Sequence, residues 1–118
     1  MRDAEHRIQC ACVRWFRYQY PTLAFLLFAI PNGGQRSART GSRLKDEGVL
    51  AGVADMFLSH PGADGSHGLY IEMKAGKNGQ TDTQKAFQHS VTAAGYRYEV
   101  CRSLEEFSDA VCRHLNKA

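Results

Sequence analysis

Apolar side chains recur every three or four positions in three parts of the chain, and this spacing predicts three amphipathic helices. The first helix runs from about Asp3 to Gln19. The second covers Thr81–Ala94 and opens with Thr81-x-x-Gln84, the pattern of a capping box. The third follows Ser103-x-x-Glu106, which has the same pattern. Each predicted helix therefore has one apolar face to bury against a neighbouring element.

Shorter apolar stretches between these helices predict strands. Leu23–Ile30 is apolar throughout, which predicts a strand buried on both faces. Ala54–Ser59 and Leu69–Lys74 alternate around a loop rich in Gly, and they predict an antiparallel hairpin. Tyr96–Cys101 alternates as a further strand. The order helix, strand, basic segment, two strands, helix, strand and helix predicts an α/β fold with a central mixed β-sheet flanked by helices.

The strand Leu69–Lys74 carries the most informative chemistry. Strand side chains alternate between faces, so Glu72 and Lys74 point away from the apolar face. In an antiparallel hairpin closed by the loop 59–68, Asp55 of the preceding strand lies across from Glu72. Cross-strand neighbours are about 5 Å apart, and two carboxylates at that distance need a cation or a proton between them. Hard carboxylate oxygens suit Mg²⁺ or Mn²⁺, and Lys74 stands beside them.

The composition limits the class of protein. Hydrophobic residues make up 43% of the 118-residue chain and charged residues 23%, as in ordinary globular proteins. This length fits one domain over residues 1–118. The run Leu23–Ile30 is too short to span a bilayer, and the charged residues 1–7 contain no signal-peptide core. We therefore expect a cytoplasmic protein.

The net charge of +3 is modest, but the basic residues are unevenly distributed. The stretch from Pro31 to Lys45 contains three arginines, one lysine and no acid. Together with Lys77 after the acidic strand, this stretch can neutralise backbone phosphates of a nucleic acid. The alternative is a solvated basic loop.

The four cysteines form no Cys-x-x-Cys pair. We interpret them as small apolar core residues in a reducing compartment. A zinc site built from His6, Cys10, Cys112 and His114 is the alternative, but that spacing matches no common zinc pattern.

Several motifs together resemble a known family, the VRR-NUC domain (virus-type replication-repair nuclease) of the PD-(D/E)XK nuclease superfamily. In chain order they are Pro31-Asn32-Gly33-Gly34, Leu44-Lys45-Asp46-Glu47-Gly48-Val49, Gly52-Val53-Ala54-Asp55, Ile71-Glu72-Met73-Lys74, Thr83-Gln84 and Gly95-Tyr96. The resemblance extends from Glu5 to the last helix, and the superfamily's αβββαβ core matches the predicted element order. One position departs from the family: Ala54 stands where Pro usually precedes the acid.

The resemblance implies roles for individual residues. Asp55 and Glu72 would coordinate the metal with the main-chain carbonyl of Met73, and Lys74 would be the catalytic lysine. Glu5 resembles the additional acid that many of these nucleases place near the metal; otherwise it is a first-turn acid that complements the helix dipole.

Further residues are expected to support the site or contact DNA. Gln84 resembles the polar helix residue that supports the site in this family, although simple capping also explains it. The residues expected to contact DNA are Asn32, Arg36, Arg39, Arg43, Lys45 and Lys77.

The leading hypothesis is therefore a Mg²⁺- or Mn²⁺-dependent DNA endonuclease that acts in replication, repair or recombination. Stand-alone proteins of this kind come largely from phages and bacteria and resemble Holliday-junction resolvases, which implies branched DNA and a homodimer. The alternatives are a flap or nicking nuclease, a module that binds branched nucleic acid without cutting it, and an interaction protein with an incidental acidic pair.

Overall fold

A computed structural model describes residues 2–31 and 38–116, including every side chain except those of residues 2 and 38–40. In chain order its elements are α1 (Arg2–Gln19), a 3₁₀-helix (Pro21–Leu26), β1 (Leu27–Ala29), α2 (Ala38–Asp46), β2 (Met56–Leu58), β3 (Leu69–Met73), α3 (Asp82–Ala93), β4 (Arg97–Cys101) and α4 (Leu104–Leu115). None of the helices in these residues is long and apolar enough to cross a membrane.

The four strands form one mixed sheet in the order β1-β2-β3-β4. β1 pairs with β2 and β2 with β3 in antiparallel fashion, whereas β3 and β4 are parallel. The hairpin register predicted from the loop is confirmed, because Met56 pairs with Ile71 and Leu58 with Leu69. The parallel pair needs a crossover, which α3 supplies. The predicted α/β class with a mixed sheet is therefore confirmed.

One face of the sheet packs against α1 and α4 and forms the main core. Ile71 of β3 is fully buried among side chains of these two helices. The principal core residues are Cys12, Phe16, Met56, Leu58, Leu69, Ile71, Met73, Cys101, Phe107 and Val111. His114 of α4 is also fully buried, and its Nε2 atom lies 2.7 Å from the carbonyl oxygen of His60. The apolar faces predicted for the first and last helices thus meet the same side of the sheet.

The opposite face of the sheet carries aromatic side chains and is covered by α3. Tyr70 lies between Phe57 and Phe87, with ring centroids 4.5 and 5.2 Å away. Phe87 of α3 also contacts Tyr98 of β4, at 6.2 Å. The capping box predicted at the start of α3 is present, because the Thr81 side chain accepts from the Gln84 N–H while the Gln84 side chain accepts from the Thr81 N–H. This capped helix end comes to lie beside the polar end of β3.

The prediction that residues 23–30 form a strand buried on both faces was wrong. Residues Pro21–Leu26 form a 3₁₀-helix, and only Leu27–Ala29 form a strand. β1 lies at the edge of the sheet, where only Leu27 of this strand is buried and Phe28 is half exposed. Phe25 of the 3₁₀-helix is 98% exposed. Pro21 favours the helical turn, since its fixed φ suits the first position of a helix. Apolar content alone did not distinguish these two structures.

Gly52 is in van der Waals contact with the first turn of α3. Its φ is +87°, and a Cβ atom placed on it would lie 2.7 Å from the backbone carbonyl carbon and oxygen of Thr83. Two reasons require glycine at position 52. Other residues avoid this φ, and no side-chain atom fits between the Gly52 backbone and Thr83. The contact sets the distance between α3 and the segment that leads to Asp55.

Gly52→Ala is expected to lower the free energy of unfolding by more than the ~1 kcal/mol that a positive φ alone typically costs alanine. Gly48→Ala is the matched control, since Gly48 also has a positive φ (+107°) but no atom of the described residues lies within 4 Å of the added Cβ. Urea denaturation of both variants measures the difference. Equal losses would show that the contact with Thr83 relaxes without cost.

Candidate active site

Asp55 is held by its backbone on both sides. Its N–H donates to the carbonyl of Ile71 at 3.0 Å, and its own carbonyl accepts from the N–H of Ile30 at 2.8 Å. The regular β2–β3 pairs end at Met56. If the same register continued, the partner of Asp55 would be Glu72, but the Asp55 N–H bonds to Ile71 instead. Instead, the Asp55 carboxylate accepts the N–H of Met73 through Oδ2 at 2.6 Å. At the end of the β2–β3 pairing, the Asp55 side chain therefore accepts the Met73 N–H in place of a backbone carbonyl.

Glu72 is the most deeply buried acid described, with 1% of its surface exposed. Its Oε1 atom accepts from the Tyr98 hydroxyl and from Gln80 Nε2, the latter at 3.2 Å. Its Oε2 atom is buried and has no hydrogen-bond donor among the described residues. A buried carboxylate oxygen without a donor is costly, so this atom is expected to face a cation.

Lys74 and Glu5 complete the charged group. The Lys74 ammonium lies 3.5 Å from Glu72 Oε2, and Lys74 is itself only 9% exposed. Glu5 reaches the site from α1, where its Oε2 atom accepts the N–H of Ala75 at 3.3 Å. The structure therefore brings together all four charged side chains that the sequence singled out: Glu5, Asp55, Glu72 and Lys74.

The pKa of Asp55 is raised above its ordinary value. Partial burial is the largest cause, and the negative charges of Glu72 and Glu5 act in the same direction. The hydrogen bond from Met73 and the charge of Lys74 oppose them. The carboxylates are therefore close enough to repel each other, as the hairpin register predicted.

The oxygen atoms of this group suit a hard divalent cation. Glu72 Oε2 has no hydrogen-bond donor, and Asp55 Oδ1 makes no hydrogen bond in the described part of the chain. Since the N–H and C=O of one strand residue point the same way, the Met73 carbonyl is directed towards Asp55 as well. Within residues 2–31 and 38–116, no three His, Cys, Asp or Glu side chains are grouped as a metal cage. A bound Mg²⁺ would therefore keep several water ligands, as this ion commonly does.

The predicted DNA-binding residues are only partly described. Asn32 and Arg36 lie outside the described residues, and Arg39 is described only as backbone of α2. Arg43 and Lys45 are exposed in the last turn of α2, and Lys77 is exposed in the turn after β3. The described members of the set are thus available to solvent.

The sequence did not predict two residues of the site, Gln80 and Tyr98, which both bond to Glu72. Gln84, the predicted supporting residue, uses its side-chain oxygen to accept the Thr81 N–H at 2.8 Å, and the glutamine that reaches Glu72 is Gln80. Gln80 stands immediately before the helix cap, and this position was the available signal. Tyr98 lies in the strand predicted at Tyr96–Cys101, but only the parallel register of β3 and β4 brings its hydroxyl to Glu72.

The four cysteines are free thiols. Cys12 and Cys101 are core residues, as interpreted from the sequence, whereas Cys10 and Cys112 are only half-buried and lie outside the core. Burial raises the pKa of Cys12 and of Cys101 to about 12, which makes both thiols unreactive at neutral pH. Cys10 Sγ lies 3.5 Å from His6 Nε2, whereas His114 is directed to the carbonyl of His60. The four residues of the alternative zinc site are therefore not assembled.

Asp55→Asn is expected to raise the free energy of unfolding of the metal-free protein at pH 8. Because folding raises the pKa of Asp55, the folded state holds this proton more tightly than the unfolded state, and stability falls as pH rises through its titration. The amide carries no charge and can still accept the Met73 N–H. The advantage of the variant should disappear at pH 4 and below. Urea titrations in EDTA across this pH range measure it.

Asp64→Asn is a control for which the opposite change in the free energy of unfolding is expected. Hydrogen bonds from Ser66 lower the pKa of Asp64 to about 2, so its carboxylate stabilises the folded state above pH 4, and the contribution is lost as pH falls towards 2. This variant should be less stable than the wild type at pH 8. A destabilised Asp55→Asn at pH 8 would contradict the repulsion described above.

A solved structure described as a "VRR_NUC domain protein" is similar to this chain, with a TM-score of 0.79 and 23% sequence identity. The match covers 94% of this chain and 87% of that chain. No protein-family model and no curated protein sequence matches the chain. A likeness at this level of identity establishes the fold, and it confirms the resemblance that the motif order predicted. The chain therefore has the fold of a VRR_NUC domain.

Proposed function

We propose that this protein is a metal-dependent DNA endonuclease that hydrolyses phosphodiester bonds. The observation that carries the proposal is that Asp55 lies near the buried Glu72 and Lys74, at one end of β2 and β3. One oxygen of Glu72 has no hydrogen-bond donor among the described residues. The fold shared with a VRR_NUC domain protein supports it. The sequence motifs that resemble that domain include Asp55, Glu72 and Lys74.

Each residue of the group has a role in the proposed reaction. Asp55, Glu72 and the Met73 carbonyl would hold Mg²⁺ or Mn²⁺, with Glu5 as a further acid nearby. The metal would polarise the scissile phosphate and lower the pKa of the attacking water. Lys74, on the same side of the strand as Glu72, would orient that water or bind the phosphate. Gln84 would support the site through the capped end of α3.

DNA is the proposed substrate because three cations outside the acidic group, two in the last turn of α2 and one in the turn after β3, are exposed. Arg43, Lys45 and Lys77 are exposed and can reach backbone phosphates, and Asn32, Arg36 and Arg39 remain predicted DNA contacts. Phosphate contacts of this kind position the substrate without reading its sequence. Selectivity is therefore proposed to lie in DNA shape, with branched DNA as the preferred substrate.

Cleavage of supercoiled and four-way DNA in Mg²⁺ or Mn²⁺ tests the proposal. The wild type should cut, EDTA should abolish cutting, and Asp55→Asn should reduce the rate by about 100-fold or more, since metal stabilisation of the transition state amounts to several kcal/mol. Asp64→Asn is the matched control, because it removes an exposed carboxylate of the hairpin loop and should leave the rate unchanged.

The outcome separates this proposal from its alternatives. A wild type that binds four-way DNA but cuts none of duplex, flap, splayed or four-way DNA would favour the non-catalytic binding module. Cutting of flaps or nicking of duplexes without paired cuts in junctions would favour the flap or nicking nuclease. Association with DNA that barely responds to salt would contradict phosphate contacts altogether.

The junction-resolvase form of the proposal requires a homodimer. A four-way junction is approximately two-fold symmetric, so two active sites related by a two-fold axis can cut opposed strands together. Sedimentation equilibrium at micromolar protein should therefore give twice the chain mass of 13.2 kDa. A monomer at these concentrations would contradict junction resolution but not single-strand cutting.

A further inference from the structure

The two oxygens of the buried Glu72 carboxylate have different surroundings. Oε1 accepts two hydrogen bonds, from the Tyr98 hydroxyl and from Gln80 Nε2. Oε2 accepts none in the described part of the chain and instead lies 3.5 Å from the Lys74 ammonium. The two donors on one oxygen fix the position and plane of the carboxylate, so its other oxygen is directed towards Lys74.

Gln80 is itself held in one orientation. Its Nε2 atom donates to Glu72 Oε1 at 3.2 Å and to Gln88 Oε1 at 2.9 Å. Both partners on this side are oxygen acceptors, so the amide must present its NH₂ group and not its oxygen. Gln88 belongs to α3, and the helix therefore anchors the Gln80 amide against Glu72.

Tyr98 reaches Glu72 from the neighbouring strand. The parallel register pairs it with Tyr70, and its ring contacts Phe87 of α3 with centroids 6.2 Å apart. Only 9% of the residue is exposed, so the ring has little freedom to move its hydroxyl. The Tyr98 hydroxyl therefore stays in place to donate to Glu72 Oε1.

We propose that Tyr98 and Gln80 are positioning residues that hold Glu72 with Oε2 directed towards Lys74 and the metal. The inference rests on the proposed function, because it assigns Glu72 as a metal ligand. Neither residue touches the reacting atoms: both act through Oε1. Partners of this kind, one step removed from a metal, typically contribute 10- to 100-fold to metal affinity or activity.

The test uses Tyr98→Phe and Gln80→Met in the full chain. Each replacement keeps the approximate size of the side chain and removes the hydrogen bond to Glu72. Calorimetric titration with Mn²⁺ should show a Kd weakened by about 10-fold or more in each variant. In cleavage assays the half-saturating Mg²⁺ concentration should rise in parallel, while kcat at saturating Mg²⁺ falls much less.

Tyr70→Phe is the matched control. Tyr70 lies on the same face of the sheet, beside Tyr98, and its hydroxyl makes no hydrogen bond among the described residues. Removing that hydroxyl should leave the Mn²⁺ affinity unchanged. Thermal unfolding in EDTA is measured for all three variants, because a purely structural role would lower Tm without changing the Kd for Mn²⁺.

Each outcome decides a different question. If the wild type binds Mn²⁺ and cleaves DNA while Tyr98→Phe and Gln80→Met bind Mn²⁺ equally well, the positioning role is wrong and the proposed function stands. If the wild type binds no Mn²⁺, the proposed function and the positioning role are both wrong. Should Tyr98→Phe fail to fold, Gln80→Met alone decides, because Gln80 lies in a half-buried turn outside the core.

Discussion

The buried carboxylate of Glu72 constrains the surrounding structure more than any other group. An ionised side chain with 1% exposure is tolerated only when a counter-charge and hydrogen-bond donors replace its hydration. These partners come from three elements: Lys74 from the end of β3, Tyr98 from β4, and Gln80 from the turn before α3. Compensation of the Glu72 charge therefore depends on the order of the strands, on the parallel β3–β4 register and on the start of α3.

Asp55 adds a second constraint, which opposes stability. Burial first, and then the negative charges of Glu72 and Glu5 that share the site, raise the pKa of its carboxyl group. The backbone prevents the chain from moving away, because Asp55 is bonded to Ile30 on one side and Ile71 on the other. Such a site is maintained at a cost to the fold, which is common where function and stability compete.

The predictable part of the structure was the part governed by local rules. Capping residues such as Thr81 and Ser103 set the starts of α3 and α4, and alternation around Glu72 gave the two faces of β3. These signals depend on a few neighbouring residues and on one hairpin loop. They were enough to place Asp55, Glu72 and Lys74 together.

The parts that failed or were missed depend on contacts distant in the chain. Residues 23–30 are apolar in either structure, yet Phe25 of the 3₁₀-helix and Phe28 of the edge strand β1 are exposed. Tyr98 meets Glu72 only because a crossover helix returns β4 alongside β3 in parallel. The hydrogen bond from Met73 to the Asp55 side chain likewise follows from the end of regular pairing at Met56, which no sequence pattern marked.

The cations of the chain differ in burial, and this difference bears on how the proposed reaction can be organised. Arg43, Lys45 and Lys77 are exposed, and their attraction for phosphates is weakened by salt. Lys74 is buried against Glu72, where its charge is screened far less. In the proposed reaction the exposed cations would set the affinity for DNA, whereas Lys74 would act at a single phosphate once that phosphate lies next to the carboxylates.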